Sequence, residues 1–444
     1  MKIDPASGAS ARPFSFGTFL KNVGRNSGAL TIAGIAGKFA TFIVFLLANR
    51  SLPQVEFGAF ALILATSEII RVIAVFGVDT VSLRALARDE RRHGELVSTA
   101  IFLKMLTSLA ASVVFMGAAL LLHFSSAMWV GAAILMVDFF LSAGVQSLVT
   151  YHQANVRADR AAPAILLAAL GNVATGLLAA RLHAPMPFYL AGLPVGNAVG
   201  LLALLLISRR WVRPSVRVVS RATLLRFAMV AWPLAGTAVV VLLYFRVNTI
   251  LLAQFVGLAA VASYAAAYKL SEAFLLVAAA VSGTTLPVLA DALRTGPNRE
   301  GVRAYQASIL VSLATAVPFA LLVTLAGRFL LVELFGPTYA SSAFALAVLG
   351  WATVLMAVNV QTTNALVALD RERAVFVIAA VNLVVNLVAN LWLIPRISFN
   401  GAALATLITE AGNLGMQAAL VWILLRRPGS AARLSRPGAT VSRE

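Results

Sequence analysis

Long hydrophobic stretches recur along nearly the whole chain and are separated by short polar connections. A helix that crosses a bilayer needs about 20 mostly apolar residues, and twelve stretches are long enough. No polar stretch is long enough to form a separate soluble domain. The pattern therefore predicts an all-α polytopic membrane protein. The predicted spans are approximately 27–49, 57–78, 96–122, 127–150, 161–180, 187–208, 228–253, 258–290, 304–327, 339–360, 374–394 and 400–425.

The distribution of basic residues predicts the orientation of these spans. If the N-terminus lies inside, the inner segments carry 26 of the 35 Lys and Arg residues. The short outer connections carry only four, which are Arg50, Arg181, Arg328 and Arg396. Cytoplasmic loops of membrane proteins are enriched in Lys and Arg. We therefore predict that both termini are cytoplasmic and that no extracytoplasmic domain is present.

The chain also shows signs of an internal repeat. A shift of 204 residues places Ser67-Glu68 on Ser271-Glu272, in the second predicted helix of each half. Six helices per half is an even number, so the halves would be parallel repeats with a cavity between them. We predict two pseudo-symmetric six-helix bundles. The predicted segments are a cytoplasmic N-terminal segment 1–26, a bundle 27–208, a basic cytoplasmic linker 209–227, a bundle 228–425 and a basic cytoplasmic tail 426–444.

Composition excludes several classes of chemistry. The chain has no cysteine, so disulfides, thiol nucleophiles and Cys-ligated metals are excluded. Its four histidines are scattered and have no metal-binding spacing, so we predict neither a catalytic site nor a metal site. A net charge of +18 would suggest nucleic-acid binding in a soluble protein. Because the mean hydropathy is +0.90 and the basic residues flank apolar segments, we expect contact with anionic membrane lipids instead, and no nucleic acid.

Charged residues inside the predicted spans are the main candidates for function. Each costs about 2.5–3.5 kcal/mol to insert at a helix centre. Glu68 and Arg71 are three residues apart, as are Lys269 and Glu272, so each pair shares a helix face. One interpretation is that each pair neutralises itself and only fastens helices together. The other is that these residues line a water-filled cavity.

Two further cations favour the cavity interpretation, because Lys38 and Arg246 have no charged partner on their own helices. Under the repeat shift they lie one turn apart on equivalent helices. Cations at membrane depth can replace part of the hydration of a phosphate or pyrophosphate. We therefore predict a substrate-binding set that consists of Lys38, Arg71, Arg246 and Lys269, with Glu68 and Glu272 in the same cavity or in ion coupling.

Other polar residues at membrane depth have two interpretations each. Asp138 and Glu410 could bind a coupling H⁺ or Na⁺, or could pair with Lys104 or another cation. Asn382, Asn386 and Asn390 recur every four residues and form one polar stripe. This stripe could line the cavity or make hydrogen bonds between helices. No cofactor other than a coupling ion is predicted.

Several motifs resemble those of one family, the polysaccharide flippases of the multidrug/oligosaccharidyl-lipid/polysaccharide exporter superfamily. The segment EFGAFALI…FGVDTVSLRALARDE (56–90) is similar to its helix-two region, and residues 226–274 are similar to its seventh and eighth helices. There, Arg246-Val247-Asn248 occupies the place of a polar triplet, and Tyr264–Lys269 matches a Tyr-x-x-Ala-x-(Lys/Arg) pattern. The late segments ELFGPTYASSA and NLVANLWLIPRISFNGAALATLITE resemble family motifs too, with Ser398 where glycine is usual.

The resemblance covers residues 20–425 and implies a function. Members form two six-helix bundles around a central cavity and move polyprenyl-pyrophosphate-linked oligosaccharides outward across the bacterial cytoplasmic (inner) membrane. It therefore implies a non-enzymatic, alternating-access flippase for surface polysaccharides such as lipopolysaccharide or exopolysaccharide. A polysaccharide polymerase and a chain-length regulator are the candidate protein partners.

Two alternatives remain at this stage. The first is an ion-coupled multidrug exporter of the same superfamily, although a net cationic cavity suits organic cations poorly. The second is a membrane polysaccharide polymerase or ligase. Such an enzyme needs a sizeable outer loop for its catalytic groups, and the outer connections here are short.

Overall fold

The computed structural model describes residues 16–212, 214–293 and 298–426, and this part of the chain is built from thirteen α-helices with short turns between them. The helices are α1 (Phe16–Ser51), α2 (Gln54–Val75), α3 (Val78–Leu86), α4 (His93–Leu121), α5 (Ser126–Ala154), α6 (Ala162–Arg181), α7 (Pro187–Leu190), α8 (Gly192–Ser208), α9 (Arg221–Phe255), α10 (Leu258–Ala292), α11 (Arg299–Phe335), α12 (Ala343–Ala368) and α13 (Glu372–Arg426). The predicted all-α class is confirmed.

These helices form a multi-pass membrane protein. Within the described ranges, ten helical segments are long and apolar enough to cross a membrane, and α9 adds a shorter apolar stretch, Leu242–Phe255. One of the ten, α13, covers two predicted spans, 374–394 and 400–425. The twelve predicted spans therefore correspond to helices that the structure contains.

The backbone of α13 is broken between those two spans. Ile397 and Ser398 have non-helical dihedrals, shortly after Pro395. Ser398 has φ 55° and ψ −137°, a conformation that residues with a β-carbon rarely adopt. Glycine would adopt this conformation without the steric penalty of a β-carbon, which agrees with the glycine that the family resemblance led us to expect here.

The helices of residues 16–208 pack mainly on one another, and so do those of residues 221–426. In the first set α6 contacts α1 and α8, and α4 contacts α2 and α5. In the second set α12 contacts α10, α11 and α13, and α9 contacts α13. Contact between the two sets is made chiefly by α2, which packs against α9 and α10. Residues on α2 are therefore well placed to connect the two halves of the chain.

The start of the second set differs from its predicted position. Helix α9 begins at Arg221, inside the predicted linker 209–227. Both the shorter connection and the start of α9 are held on α4. The Ser215 amide of the connection donates to Ser98 Oγ over 2.9 Å, and the Thr223 hydroxyl of α9 donates to Glu95 over 2.7 Å. At the N-terminus α1 begins at Phe16, within the predicted segment 1–26. The rest of that segment, and the predicted tail after Arg426, lie outside the described residues.

At the predicted outer side, the two halves meet in what we call the outer contact, formed by Arg50, Gln54 and Gly58 with α10 and the end of α11. Arg50 donates to the carbonyl oxygens of Glu333 and Leu334 over 2.5 and 3.1 Å. Gln54 donates to Ser263 Oγ over 3.1 Å. A β-carbon on Gly58 would lie 1.9 Å from the Leu258 carbonyl oxygen, so only glycine permits this approach. The outer contact therefore joins the two halves on this side.

Candidate functional site

Arg246 on α9 lies at the centre of a group of charged side chains between the two halves. Its Nε is 2.5 Å from a carboxylate oxygen of Glu68 on α2, and its Nη2 donates to Glu272 on α10 over 2.6 Å. The guanidinium also faces the ring of Tyr268, with 5.2 Å between its central carbon and the ring centroid. One cation thus holds a carboxylate from each half.

Lys269 completes the group on the α10 side. Its ammonium donates to Glu272 over 2.9 Å, so this pair forms on one helix as its spacing allows. The same ammonium lies 5.4 Å from the ring centroid of Phe45 on α1, close enough for a cation–π interaction. Lys269 therefore connects α1 with α10.

Arg71 is held differently, by a carboxylate from another helix of the first half. Its Nη2 donates to Asp138 on α5 over 2.6 Å, and Asn197 on α8 donates to the other oxygen of Asp138 over 2.6 Å. The interpretation that Glu68 and Arg71 neutralise each other is wrong. Both side chains form ion pairs with residues far away in the sequence instead, Glu68 with Arg246 and Arg71 with Asp138.

These side chains line a cavity of about 300 Å³. We call the six charged residues Glu68, Arg71, Asp138, Arg246, Lys269 and Glu272 the central cluster. All but Asp138 line this cavity. Asp138 is fully buried behind Arg71 and fixes its position. The structure therefore brings three of the four predicted substrate-binding cations into one cavity.

Lys38 lines an adjoining cavity of about 300 Å³ between α1 and α10. Glu68, Lys269 and Glu272 line both cavities, while Phe39 and Phe42 of α1 add apolar surface to the second. Among the described residues, Lys38 makes no ion pair. Four cations and three carboxylates thus leave one formal positive charge, and Lys38 is the cation without a carboxylate.

Lys104 is paired within the first half, outside the central cluster. It is 1% exposed and donates to Asp79 in the first turn of α3, and Thr150 on α5 donates to the same oxygen over 3.1 Å. Asp138 therefore does not pair with Lys104. It pairs with another cation, Arg71, which the sequence had also left open. Asp79 was not recognised from the sequence, because nothing in its local pattern shows which helix it faces.

Glu410 and the asparagine stripe lie inside the second half. Glu410 is 2% exposed and accepts from the Tyr244 hydroxyl and from Asn359, over 2.7 Å for Asn359. Asn382, Asn386 and Asn390 are all buried. Their amides donate to Asn413, Thr409 and Asn248 over 3.0, 3.2 and 2.8 Å respectively. The stripe thus makes hydrogen bonds between the two spans of α13 and with α9. It does not belong to the walls of the two cavities above.

One hydrogen-bonded path leads from this polar core to the cavity wall. Asn390 donates to Asn248, and Asn248 donates to the hydroxyl of Tyr264 over 3.2 Å. Tyr264 lines the cavity of the central cluster. Asn248 lies two residues after Arg246, in the polar triplet noted in the sequence. Tyr244 and Asn359 were missed because a single tyrosine or asparagine in an apolar span gives no sequence signal of its partner.

Comparisons with known proteins agree with this architecture. A family described as polysaccharide biosynthesis protein matches residues 23–293, and a second, described as MatE, matches residues 233–392. The probable flippase AglR of Haloferax volcanii is 31% identical over 169 residues, which are 37% of this chain and 35% of that protein. The match therefore spans about a third of this curated relative.

Two solved structures show the same fold at low sequence identity. An inward-facing multidrug resistance MATE family transporter of the MOP superfamily has a TM-score of 0.70 at 14% identity, covering 88% of this chain and 96% of that one. The lipid II flippase MurJ in an inward closed conformation has a TM-score of 0.71 at 13% identity, covering 88% of this chain and 87% of that one. Since the first family matches more than half of the sequence, the chain belongs to the family described as polysaccharide biosynthesis protein.

Proposed function

We propose that this protein moves polyprenyl-pyrophosphate-linked oligosaccharides from the inner to the outer leaflet of a bacterial cytoplasmic membrane, for surface polysaccharide synthesis. The observation that carries the proposal is the central cluster, in which cations from both halves of the chain line one cavity. A pyrophosphate accepts strong hydrogen bonds from guanidinium and ammonium groups. Family membership and the similarity to AglR support the flippase assignment.

In the proposed mechanism, the head group competes for the partners of Arg246. A pyrophosphate that binds Arg246 and Lys269 takes the place of the Glu68 carboxylate, which now connects α2 with α9. Losing that ion pair removes one of the connections between the first half and the second. The carboxylates also weaken substrate binding, because they compete with the head group for the cations and pair with them again when it leaves. Lys38 makes no ion pair within the described ranges, so it is the proposed first contact for an entering anion.

The geometry of the two cavities suits a lipid-linked substrate. The cavity at Lys38 lies between α1 and α10, and Phe39 and Phe42 give it an apolar wall for a polyprenyl tail that remains in lipid. The outer contact at Arg50, Gln54 and Gly58 blocks exit to the outer side. We propose that this is the state that accepts substrate from the cytoplasmic side, and that the bundles 27–208 and 228–425 rock about the linker to release it outside.

A coupling ion would act in the second half. Glu410 is buried with neutral hydrogen-bond donors, so it is the proposed site for H⁺ or Na⁺. The path through Asn390, Asn248 and Tyr264 is the proposed link to the central cluster. Both termini are proposed to be cytoplasmic. A polymerase and a chain-length regulator are the proposed protein partners.

Multidrug export is the second candidate function, and the similarity to a MATE family transporter favours it. The central cluster argues against it. The six charges of the cluster sum to zero and each of its carboxylates already has a cationic partner, so an organic cation finds no free counterion there. Lys38 adds one positive charge in the adjoining cavity, which repels organic cations.

The proposal is tested in a strain that lacks the chromosomal gene, complemented with wild type, Lys38→Ala, Arg246→Gln or Lys269→Ala. Arg181→Gln, at the predicted outer end of α6, is the matched control for a lost charge. We expect wild type and the control to restore surface polysaccharide. The Lys38, Arg246 and Lys269 variants should leave polyprenyl-linked oligosaccharide in the membrane. Expression in the membrane fraction separates loss of function from loss of protein.

Two results would contradict parts of the proposal. Full complementation by all three variants would keep the flippase but remove the central cluster from substrate binding. Normal polysaccharide in the deletion strain, together with new sensitivity to drugs, would move the protein to the exporters.

A further inference from the structure

A cavity of about 610 Å³ lies at the predicted inner end, away from the central cluster. It is formed by α3, the segment that follows it, the start of α4 and the start of α9. We call it the inner cleft and define it by Arg84, Arg88, Arg92, Arg226, Val81 and Val230. It shares no lining residue with the two central cavities.

The inner cleft has a strong positive charge. Of its four arginines, only Arg92 is neutralised, by two hydrogen bonds to Glu95 of 2.9 and 3.0 Å. Within the described ranges, Arg84, Arg88 and Arg226 make no ion pair. Asp89 is the one carboxylate that lines the cleft, and it accepts from the Arg91 amide over 3.1 Å. Three guanidinium groups thus face a concave surface with little opposing charge.

The rest of the inner cleft is apolar. Val81 and Phe227 line it, and Val230, which is half exposed, continues the apolar surface along α9. A site that combines free guanidinium groups with apolar walls matches a lipid, whose phosphate and acyl chains need both. Basic pockets between transmembrane helices on the cytoplasmic side bind anionic lipid head groups.

We propose that the inner cleft binds the phosphate of a resident anionic phospholipid. Arg84 and Arg88 come from the first half of the chain and Arg226 from the second, so one head group bonds to both halves. The bound lipid holds the start of α9 against α3 and α4, where Thr223 already bonds to Glu95. It thereby stabilises the arrangement that the structure shows.

The position of the inner cleft favours a resident lipid over the transported one. The proposed substrate opening lies between α1 and α10, at Lys38. The inner cleft lies between α3, α4 and α9. The inference does not rest on the identity of the transported glycan.

The test compares lipids and variants on the purified full chain in detergent. Phosphatidylglycerol and phosphatidylcholine are titrated into the protein. Bound lipid is counted by native mass spectrometry, and the thermal unfolding midpoint is measured at each lipid concentration. Arg88→Gln/Arg226→Gln removes one guanidinium from each half. Arg181→Gln/Arg328→Gln removes the same charge at the predicted outer side, and Arg226→Lys keeps the charge in the cleft.

We expect one phosphatidylglycerol to bind with clear preference over phosphatidylcholine and to raise the unfolding midpoint. Its affinity should fall by roughly tenfold to thirtyfold in Arg88→Gln/Arg226→Gln, and little in the outer control or in Arg226→Lys. Elution as a monodisperse peak confirms that each variant is folded.

Three results would overturn the proposal. If the outer control lost as much affinity for phosphatidylglycerol, the effect would come from the general surface charge and not from the inner cleft. An equal midpoint shift with millimolar inorganic phosphate would assign the cleft to a soluble anion. Preferential binding of a polyprenyl pyrophosphate, lost in Arg88→Gln/Arg226→Gln, would make it an entry site for the substrate.

Discussion

The most deeply buried carboxylate of each half is held in a different way. In the first half, Asp138 is fully buried and contacts Arg71, and the partly exposed Asp79 likewise contacts the buried Lys104. In the second half, Glu410 is as deeply buried, but it accepts hydrogen bonds from a tyrosine hydroxyl and an amide. Among the described residues it contacts no cation. The second half has its own ion pairs at Glu272, which is 28% exposed. The halves therefore share a helical architecture and differ in the partners of their most deeply buried carboxylate.

This difference separates two roles for a buried acid. A carboxylate that is bonded to a cation keeps its charge, and breaking the pair leaves a charge without compensation. A carboxylate with neutral donors can instead take up a proton or a metal cation without leaving a partner unpaired. We therefore interpret the first half as a frame with fixed charges and the second half as the place where an ion is exchanged.

The largest effect is expected for Asp79→Asn. The change leaves the ammonium of Lys104, which is 1% exposed, without a counterion. Removing one member of a buried ion pair typically costs about 3–5 kcal/mol. We expect a loss of this size in the free energy of unfolding, measured by denaturant titration of the protein in detergent micelles.

The control for this change is Lys104→Met/Asp79→Asn. Replacing both members of a buried pair by neutral groups is often close to neutral, so the double variant should recover most of the lost stability. If it unfolds as easily as Asp79→Asn, the loss comes from packing or from the Thr150 hydrogen bond, and the charges are not its cause.

A smaller effect is expected for Asp138→Asn. The cation left behind, Arg71, is 26% exposed and lines the cavity, so water can solvate it. The asparagine also keeps an oxygen for the Asn197 amide. We expect a loss of about 1–3 kcal/mol, between the values for a surface pair and a fully buried pair. A loss larger than that for Asp79→Asn would show that exposure of the remaining cation does not set the cost.

These pairings mark the limit of what the sequence could predict. Hydrophobic length located the helices, because lipid imposes the same constraint on every span. It also predicted a common depth for Lys38, Arg71, Arg246 and Lys269, and in the structure these four cations line two adjoining cavities. Spacing along one helix shows which side chains share a face, and it correctly paired Lys269 with Glu272.

Spacing does not show which other helix lies opposite that face. Glu68 and Arg71 have the same spacing as Lys269 and Glu272, yet their partners are Arg246 and Asp138 on other helices. The start of α9 was misplaced for a related reason. Residues Arg221–Phe227 are polar enough to resemble a linker, and contacts with α4 hold that region in place.

The smallest effect on stability, and the largest on ion coupling, is expected for Glu410→Gln. Tyr244 can donate to the new amide oxygen as it does to the carboxylate. The buried Oδ1 of Asn359 has no hydrogen-bond partner in the described part of the chain, so it can accept from the new NH₂ group once the Asn359 amide turns over. That turn gives up the hydrogen bond from the Asn359 amide to the Glu410 carbonyl oxygen, so one bond is exchanged for another. We expect the free energy of unfolding to change by less than about 1 kcal/mol, the value of a single hydrogen bond.

The ranking should be reversed for ion-coupled transport, where Glu410→Gln is expected to have a larger effect than Asp138→Asn. This measurement separates the two halves most clearly. In proteoliposomes, an imposed H⁺ or Na⁺ gradient should accelerate flipping of a fluorescent polyprenyl-pyrophosphate glycan by wild type. The Asp138→Asn variant should keep that acceleration in its folded fraction, because the carboxylate that it removes has a fixed cationic partner and is not the proposed ion site. Glu410→Gln should lose it, because a neutral amide cannot exchange an ion. An unchanged gradient response in Glu410→Gln, or an unfolding penalty equal to that of Asp79→Asn, would mean that Glu410 only supports the structure and that the halves do not differ in role.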